Sequence, residues 1–201
     1  MYNGKKVRVA CIRTGNKFDE WYELNLKHMV DKYSKLQYEE FVVIRDDVFD
    51  DEYGTFNNLL VFDRFREKNW YNIVFDLDVI IKGDCTQFLT EELHVCDSRQ
   101  WQNDEYYYGV NQISSDIITW SGDRSDICSR VANNLPYYYK TYNKGIDRYL
   151  YNEVKPLRHT KGFTSIQTDT HPALHDVIIF NGHYDTMKKP GWWHKYTIWQ
   201  P

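Results

Sequence analysis

The order of apolar and polar positions lays out alternating strands and helices. Lys6 to Ile12 (KVRVACI) alternates and predicts a first strand that leaves through Arg13-Thr14-Gly15-Asn16, a turn-rich exit. Asp19 can cap the helix that follows. Trp21, Tyr22, Leu24, Leu26, Met29, Val30 and Tyr33 recur at helical spacing, so Asp19 to Tyr33 packs one face on the sheet. Phe41 to Ile44 reads as a second buried strand, ending in Arg45-Asp46-Asp47, and Phe56, Leu59, Leu60, Phe62 and Phe65 mark another helix. Ile73-Val74-Phe75 is a short, unbroken apolar run, as expected of a strand buried on both faces of a mainly parallel sheet. This order predicts right-handed crossovers, with a ligand crevice outside the carboxyl ends of the strands. All three of those ends are polar: Arg13-Thr14, Asp46-Asp47 and Asp76-Leu77-Asp78.

Beyond Asp78, Val79 to Ile81 continues the apolar run and Gly83-Asp84 turns it. Tyr106 to Tyr108 and Ile117 to Trp120 predict further strands, with Asn111-Gln112-Ile113-Ser114-Ser115 between them. Ser121 or Ser125 caps a helix running through Leu135. A second helical pattern, from about Tyr138 to Tyr151, contains Gly145-Ile146-Asp147-Arg148. Val177 to Phe180 is a last buried strand, followed by Asn181-Gly182-His183 and a tail rich in Lys, Trp and His. No repeat, low-complexity tract or linker divides the chain, so residues 1–201 predict a single α/β domain.

Composition narrows the function classes. A 42% hydrophobic and 27% charged chain is ordinary for a water-soluble globule. No run approaches the roughly eighteen apolar residues of a membrane span, and Met1 to Ala10 holds no apolar signal-peptide core. Cys11, Cys85, Cys96 and Cys128 lack CxxC spacing, which favours reduced structural thiols over a zinc site or disulfides. A cytoplasmic location is therefore expected, that of a host if the chain is viral. The net charge of −4 gives no basic footprint for nucleic acid. Alanine occurs only at Ala10, Ala132 and Ala173, against seventeen tyrosines and seven tryptophans. That bias fits an AT-rich genome, and equally a protein that stacks aromatic rings on bases and sugars.

The strongest chemical signal is Asp76-Leu77-Asp78. On an extended chain the side chains at i and i+2 project to the same side, so both carboxylates meet at the mouth of the sheet. Adjacent acids leaving a buried strand are costly to keep charged unless a cation sits beside them. Mg²⁺ or Mn²⁺ answers that need, held by one or two carboxylates and a substrate diphosphate. A solvated turn that merely ends the strand is the plainer reading of the same residues.

Taken together, these stretches resemble the GT-A (Rossmann-like) fold of nucleotide-sugar-dependent glycosyltransferases, in particular small bacterial and phage enzymes related to the glycogenin-like retaining branch. VACIRTGNKF resembles their first strand and uracil-binding loop, which implies nucleotide contacts at Ile12, Arg13 and Thr14; FVVIRDD is similar to their second strand, with Asp46 near the nucleoside. NIVFDLDVIIKGDCTQFL resembles the metal-binding stretch, implying that Asp78 ligates Mn²⁺ (or Mg²⁺) and that Asp76 and Leu77 lie on the metal or ribose. Ser114-Ser115 to Trp120 resembles the segment beside the donor sugar, and IIFNG with Lys188-Lys189-Pro190 resembles the closing elements, implying contacts from Asn181, Gly182 and Lys189. The pattern departs in three places. Asn181 stands where relatives carry a metal-binding His, so the third ligand is His183 or Asn181; Asn58 stands where they often carry Lys, so the diphosphate's cation is Arg13, Arg64 or Lys189; and Asp147-Arg148 replaces Asp-Gln, so only Asp147 carries over, as the catalytic carboxylate.

The resemblance implies a metal-dependent hexosyltransferase that takes a UDP-sugar, such as UDP-glucose, to a glycan, protein or small-molecule acceptor with retention. Two rivals remain. IVFDLDVII also nearly fits a haloacid-dehalogenase-like phosphatase, with Asp76 as nucleophile and Asp78 as acid/base, although Gly122-Asp123-Arg124-Ser125-Asp126 falls one residue short of that group's metal motif. A non-catalytic sugar-nucleotide or glycan-binding module would need most of the same residues.

Overall fold

A computed structural model describes residues 1–49, 55–99, 101, 112–143, 145–167, 172–181 and 183–198. The first half follows the predicted order closely. Strand β1 (Lys6–Ile12) leads to helix α1 (Glu20–Tyr33), whose N-cap Asp19 accepts a hydrogen bond from the Trp21 backbone N–H at 3.0 Å. Strand β2 (Glu40–Ile44) follows, then a 3₁₀ turn, Phe56–Leu59, that runs into the short helix α2 (Leu60–Arg64) and on to strand β3 (Trp70–Phe75). Both β2 and β3 pair parallel with β1, as the crossover pattern requires.

The second half departs from a simple continuation. Val79–Ile81 does not prolong β3 but forms strand β4, which pairs antiparallel with β9 (Val177–Ile179) in a second sheet ordered β4-β9-β8, with β8 at Phe163–Ser165. Strand β6 spans Ile113–Ser121 and so takes in Ile113-Ser114-Ser115, which the sequence assigned to a connection. It pairs antiparallel with β3 and with β5 (His94–Asp97), and β7 (Leu157–His159) closes the edge, giving the order β2-β1-β3-β6-β5-β7. The sheet is therefore mixed, and helices flank it. The short strands β5, β7 and β8 carry too few residues for their periodicity to be read.

Helix α3 (Ser125–Asn133) stops short of the expected Leu135, and the long pattern from Tyr138 to Tyr151 divides into α4 (Leu135–Thr141), α5 (Ile146–Tyr149) and a π-helical turn, Leu150–Val154. Gly145 explains the division. It sits at φ 104, a conformation that L residues rarely adopt, and breaks the chain just before Asp147. The strand expected at Tyr106 to Tyr108, Asn111 and Gly182 lie outside the described residues.

Two apolar clusters fill the space on either side of the main sheet. One joins α1 to β4, β9 and Trp193; the other joins α2, α3 and the α4–α5 region around Trp120 and Tyr149. The four cysteines are buried and free, and burial pushes the Cys11, Cys85, Cys96 and Cys128 thiols up in pKa, Cys128 to about 11. They pack as small apolar residues. Among the described residues no helix is long and apolar enough to cross a membrane.

Candidate active site

Asp76-Leu77-Asp78 lies on the seam between the two sheets. The Asp76 backbone N–H donates to the Asp116 carbonyl of β6 at 2.8 Å, while the Asp78 carbonyl accepts from the Phe180 N–H, just beyond β9, at 2.9 Å. Leu77 between them is fully buried, and its N–H donates to Asp76 Oδ1 at 2.7 Å. The three-residue step from β3 to β4 thus switches the chain from one sheet to the other, with the two acids on either side of Leu77.

A third acid joins them. One carboxylate oxygen each from Asp76, Asp78 and Asp116 lie within 4.8 Å of one another, and Asp78 and Asp116 are buried. Burial, with Asp78 and Asp76 close by, pushes the Asp116 carboxyl well above its ordinary pKa, against the opposing effect of a hydrogen bond donated by Ser114 Oγ. Three oxygen donors so placed suit a hard divalent cation rather than a soft one.

Beside the trio, β6 meets α5. The Ser115 N–H donates to Asp147 Oδ1 at 3.0 Å, which ties that carboxylate to β6 one residue from Asp116. Burial, with Asp76 adding repulsion, raises Asp147 to about 6, although the Ser115 bonds pull the other way. A small cleft, open to solvent, is lined by Ile12, Asn58, Asp76 and Ser115 together with Val74, Phe75 and Ile118. Four of the residues singled out from the sequence therefore face one space.

Other expected residues stand further out. Asp46 is exposed and holds Arg64 in an ion pair of 2.7 Å, so that arginine already has a carboxylate. Asn58, by contrast, lines the cleft and follows Asn57, whose buried amide ties down the loop after β2. Arg13 is half-buried and bonded to Glu23, and Thr14 is half-buried beside it. Lys189 is exposed after the 3₁₀ turn Tyr184–Lys188. Asn181 adopts φ 47 and its side-chain amide donates to Ser165 Oγ. His183 is exposed at the start of that 3₁₀ turn, and the structure does not bring it into the group that Asp116 completes.

Sequence reasoning missed Asp116 and Glu23. Asp116 is the one acid inside a strand that reads SSDIITW, and Glu23 falls at i−3 and i−7 from Leu26 and Val30 on the buried face of α1. An acid on an apolar face is the signal that would have found both.

The phosphatase rival loses its geometry. Ser121 pairs with Tyr71 at the amino end of β3, and Asp123 beyond it is exposed, accepting from the Ser125 N–H at the start of α3. That segment sits at the far end of the strand, about 15 Å from Asp76.

The α/β fold is shared with solved glycosyltransferases. A glycosyltransferase involved in the glycosylation of the major capsid of PBCV-1 superposes with a TM-score of 0.64 and 12% identity, covering 90% of this chain and 98% of its own. GlyE of Streptococcus pneumoniae TIGR4 superposes with a TM-score of 0.60 in its apo form, at 12% identity, and of 0.60 in a second structure, at 13%. Each GlyE match covers 98% of this chain but 61% of the GlyE chain, so the sequence spans about three fifths of that protein. No family model and no curated protein matches the sequence.

Proposed function

We propose that the chain is a metal-dependent GT-A glycosyltransferase that moves a hexose from a UDP-sugar to a glycan, protein or small-molecule acceptor, with retention, in the cytoplasm of a cell or infected host. The observation that carries this reading is the carboxylate trio formed by the β3–β4 switch and β6, with Asp147 bonded to β6 one residue from Asp116, in a fold shared with solved glycosyltransferases. Asp76, Asp78 and Asp116 would hold Mn²⁺ or Mg²⁺, and their all-oxygen donor set fits such an ion. The bound ion would supply Lewis-acid stabilisation of the negative charge on the departing diphosphate.

The chain's own residues do the rest. Ile12, Asn58 and Ser115 border the donor, with Asp76 on its metal side. As the anomeric C–O bond breaks, positive charge grows on the sugar ring, and Asp147 presents a carboxylate oxygen to it. The Ser115 N–H holds that oxygen in place, so little reorganisation is required at the moment of reaction.

Incubation with a panel of UDP-sugars and Mn²⁺ tests the reading. UDP should appear slowly even without acceptor and faster with the right one, and NMR of the product should show the donor's anomeric configuration kept. Turnover of an aryl phosphate without UDP-sugar binding would instead return the phosphatase, and metal-dependent donor binding with no turnover under any acceptor would leave a binding module.

A further inference from the structure

Two arginines converge on one buried acid at the carboxyl ends of β1 and β2. Glu23, on the first turn of α1, is only 5% exposed. Its Oε2 accepts from Arg13 Nε at 2.8 Å and its Oε1 from Arg45 Nη2 at 2.6 Å. Each arginine directly follows a strand, Arg13 after β1 and Arg45 after β2, and the Arg13 N–H to Ile44 carbonyl bond of 2.8 Å keeps the two strand ends level. In the order β2-β1-β3 these ends lie beside Asp76, and continuing the β1–β3 register sets Ile12, which borders the cleft, opposite Asp76. The common locus shows in Cys11, whose thiol feels Glu23, Asp76, Arg45 and Arg13 together.

Charge bookkeeping says what this assembly lacks. Two guanidiniums on one carboxylate leave an excess positive charge, and among the described residues neither arginine has another carboxylate partner. At the neighbouring end of β3 the balance is reversed. A divalent cation held by three carboxylates would be net negative, and so could not by itself neutralise a diphosphate. A fork of guanidinium donors is the chemistry that recognises phosphate oxygens, and a buried carboxylate that fixes the fork removes the entropy of ordering it.

We propose that Arg13 and Arg45 form a phosphate-binding pair for the donor's diphosphate, and that Glu23 is its positioning residue, holding both guanidiniums toward the β1–β3 mouth. This rests on the nucleotide-sugar reading for the identity of the ligand. Arg45 and Glu23 have no part in that reading otherwise.

Calorimetry with uridine, UMP, UDP and inorganic pyrophosphate, each with Mn²⁺, tests it on the wild type and on Arg13→Gln, Arg45→Gln and Glu23→Gln, with melting curves to confirm folding. Each arginine variant should weaken UDP and pyrophosphate about tenfold to a hundredfold while uridine is unchanged. Glu23→Gln, which keeps both arginines, should weaken UDP about threefold to tenfold, leave uridine and nucleotide-free Mn²⁺ binding unchanged, and be partly rescued in Glu23→Asp. An unaltered gap between UDP and uridine in folded arginine variants would overturn the pair. Equal losses of uridine and UDP would do so too, assigning the arginines to the nucleoside. Wild-type protein that binds pyrophosphate through the arginines but no uridine compound would keep the pair and overturn the donor assignment instead.

Discussion

Asp76 and Asp116 face one another across the β3–β6 pair. The register Phe75↔Ile117 continues to place them directly opposite, and the Asp76 N–H bonds the Asp116 carbonyl at 2.8 Å. Like charges opposite each other on neighbouring strands destabilise a sheet. Here Asp78 brings a third acid to the pair. The arrangement costs stability in isolation and is recovered when a cation binds, so metal and fold should be linked.

Removing one acid should therefore loosen the metal while relieving the protein. We expect Asp116→Asn to weaken Mn²⁺ binding by more than tenfold, measured by calorimetry or by the Mn²⁺ electron paramagnetic signal, and to raise the metal-free melting temperature. Asp78→Asn should abolish metal-dependent donor binding. His183→Ala should have a smaller effect on Mn²⁺ than Asp116→Asn; the opposite order would make the exposed histidine the third ligand.

Asp147 carries a parallel trade. Its carboxyl is raised to about 6 by burial, with Asp76 adding to the shift, so the folded protein binds a proton more tightly than the unfolded chain does. Relative to the unfolded chain, its contribution is favourable at low pH and is lost as pH rises through about 6, leaving a cost at neutral pH. Asp147→Asn keeps an acceptor for the Ser115 N–H and removes that cost. The variant should melt higher at pH 7 and transfer sugar about a hundredfold or more slowly, with the donor's KM little changed. A normal kcat would remove Asp147 from the reaction.

A second titrating group acts on stability alone. His159 is buried, its Nε2 lies 2.8 Å from Thr119 Oγ1, and it stacks on His94 at 5.0 Å. Burial and the neighbouring His94 lower its pKa from 6.5 to about 3. Between those values the unfolded chain takes up a proton that the native state refuses, so this contribution is full above 6.5 and is lost as pH falls. Urea denaturation followed against pH should lose about 1.4 kcal/mol per unit across that window from this group. His159→Asn should flatten the slope by that amount, and an unchanged slope would point to another residue.

The loop after β2 depends on one amide. Asn57 Oδ1 accepts from the Val48 and Phe49 N–H groups at 3.0 and 2.9 Å, and its Nδ2 donates to Asp47 and to the Phe49 carbonyl. Asn57→Ala leaves the buried Phe49 N–H and carbonyl unpaired and should cost about 2–3 kcal/mol by chemical denaturation. Because Asp46 and Asn58 flank this knot, donor affinity should fall as well. Unaltered affinity in a destabilised variant would separate the loop from the site.

Local pattern was enough to reveal the chain from Lys6 to Phe75, the paired acids after it and the buried run at Val177, because each of these signals lies within a few residues and depends on whether side chains alternate or recur. Asp147 and Ser115 were legible only through resemblance, and their mutual hydrogen bond spans 32 positions that no periodicity connects. Tertiary structure decided the rest. It sent Val79–Ile81 into a second sheet, set Asp116 opposite Asp76, and gathered Arg13 and Arg45 on Glu23. Strand pairing is chosen by which faces and edges can be buried together across the whole chain, so a residue's partner in a sheet is a property of the fold and is not written in its own neighbourhood.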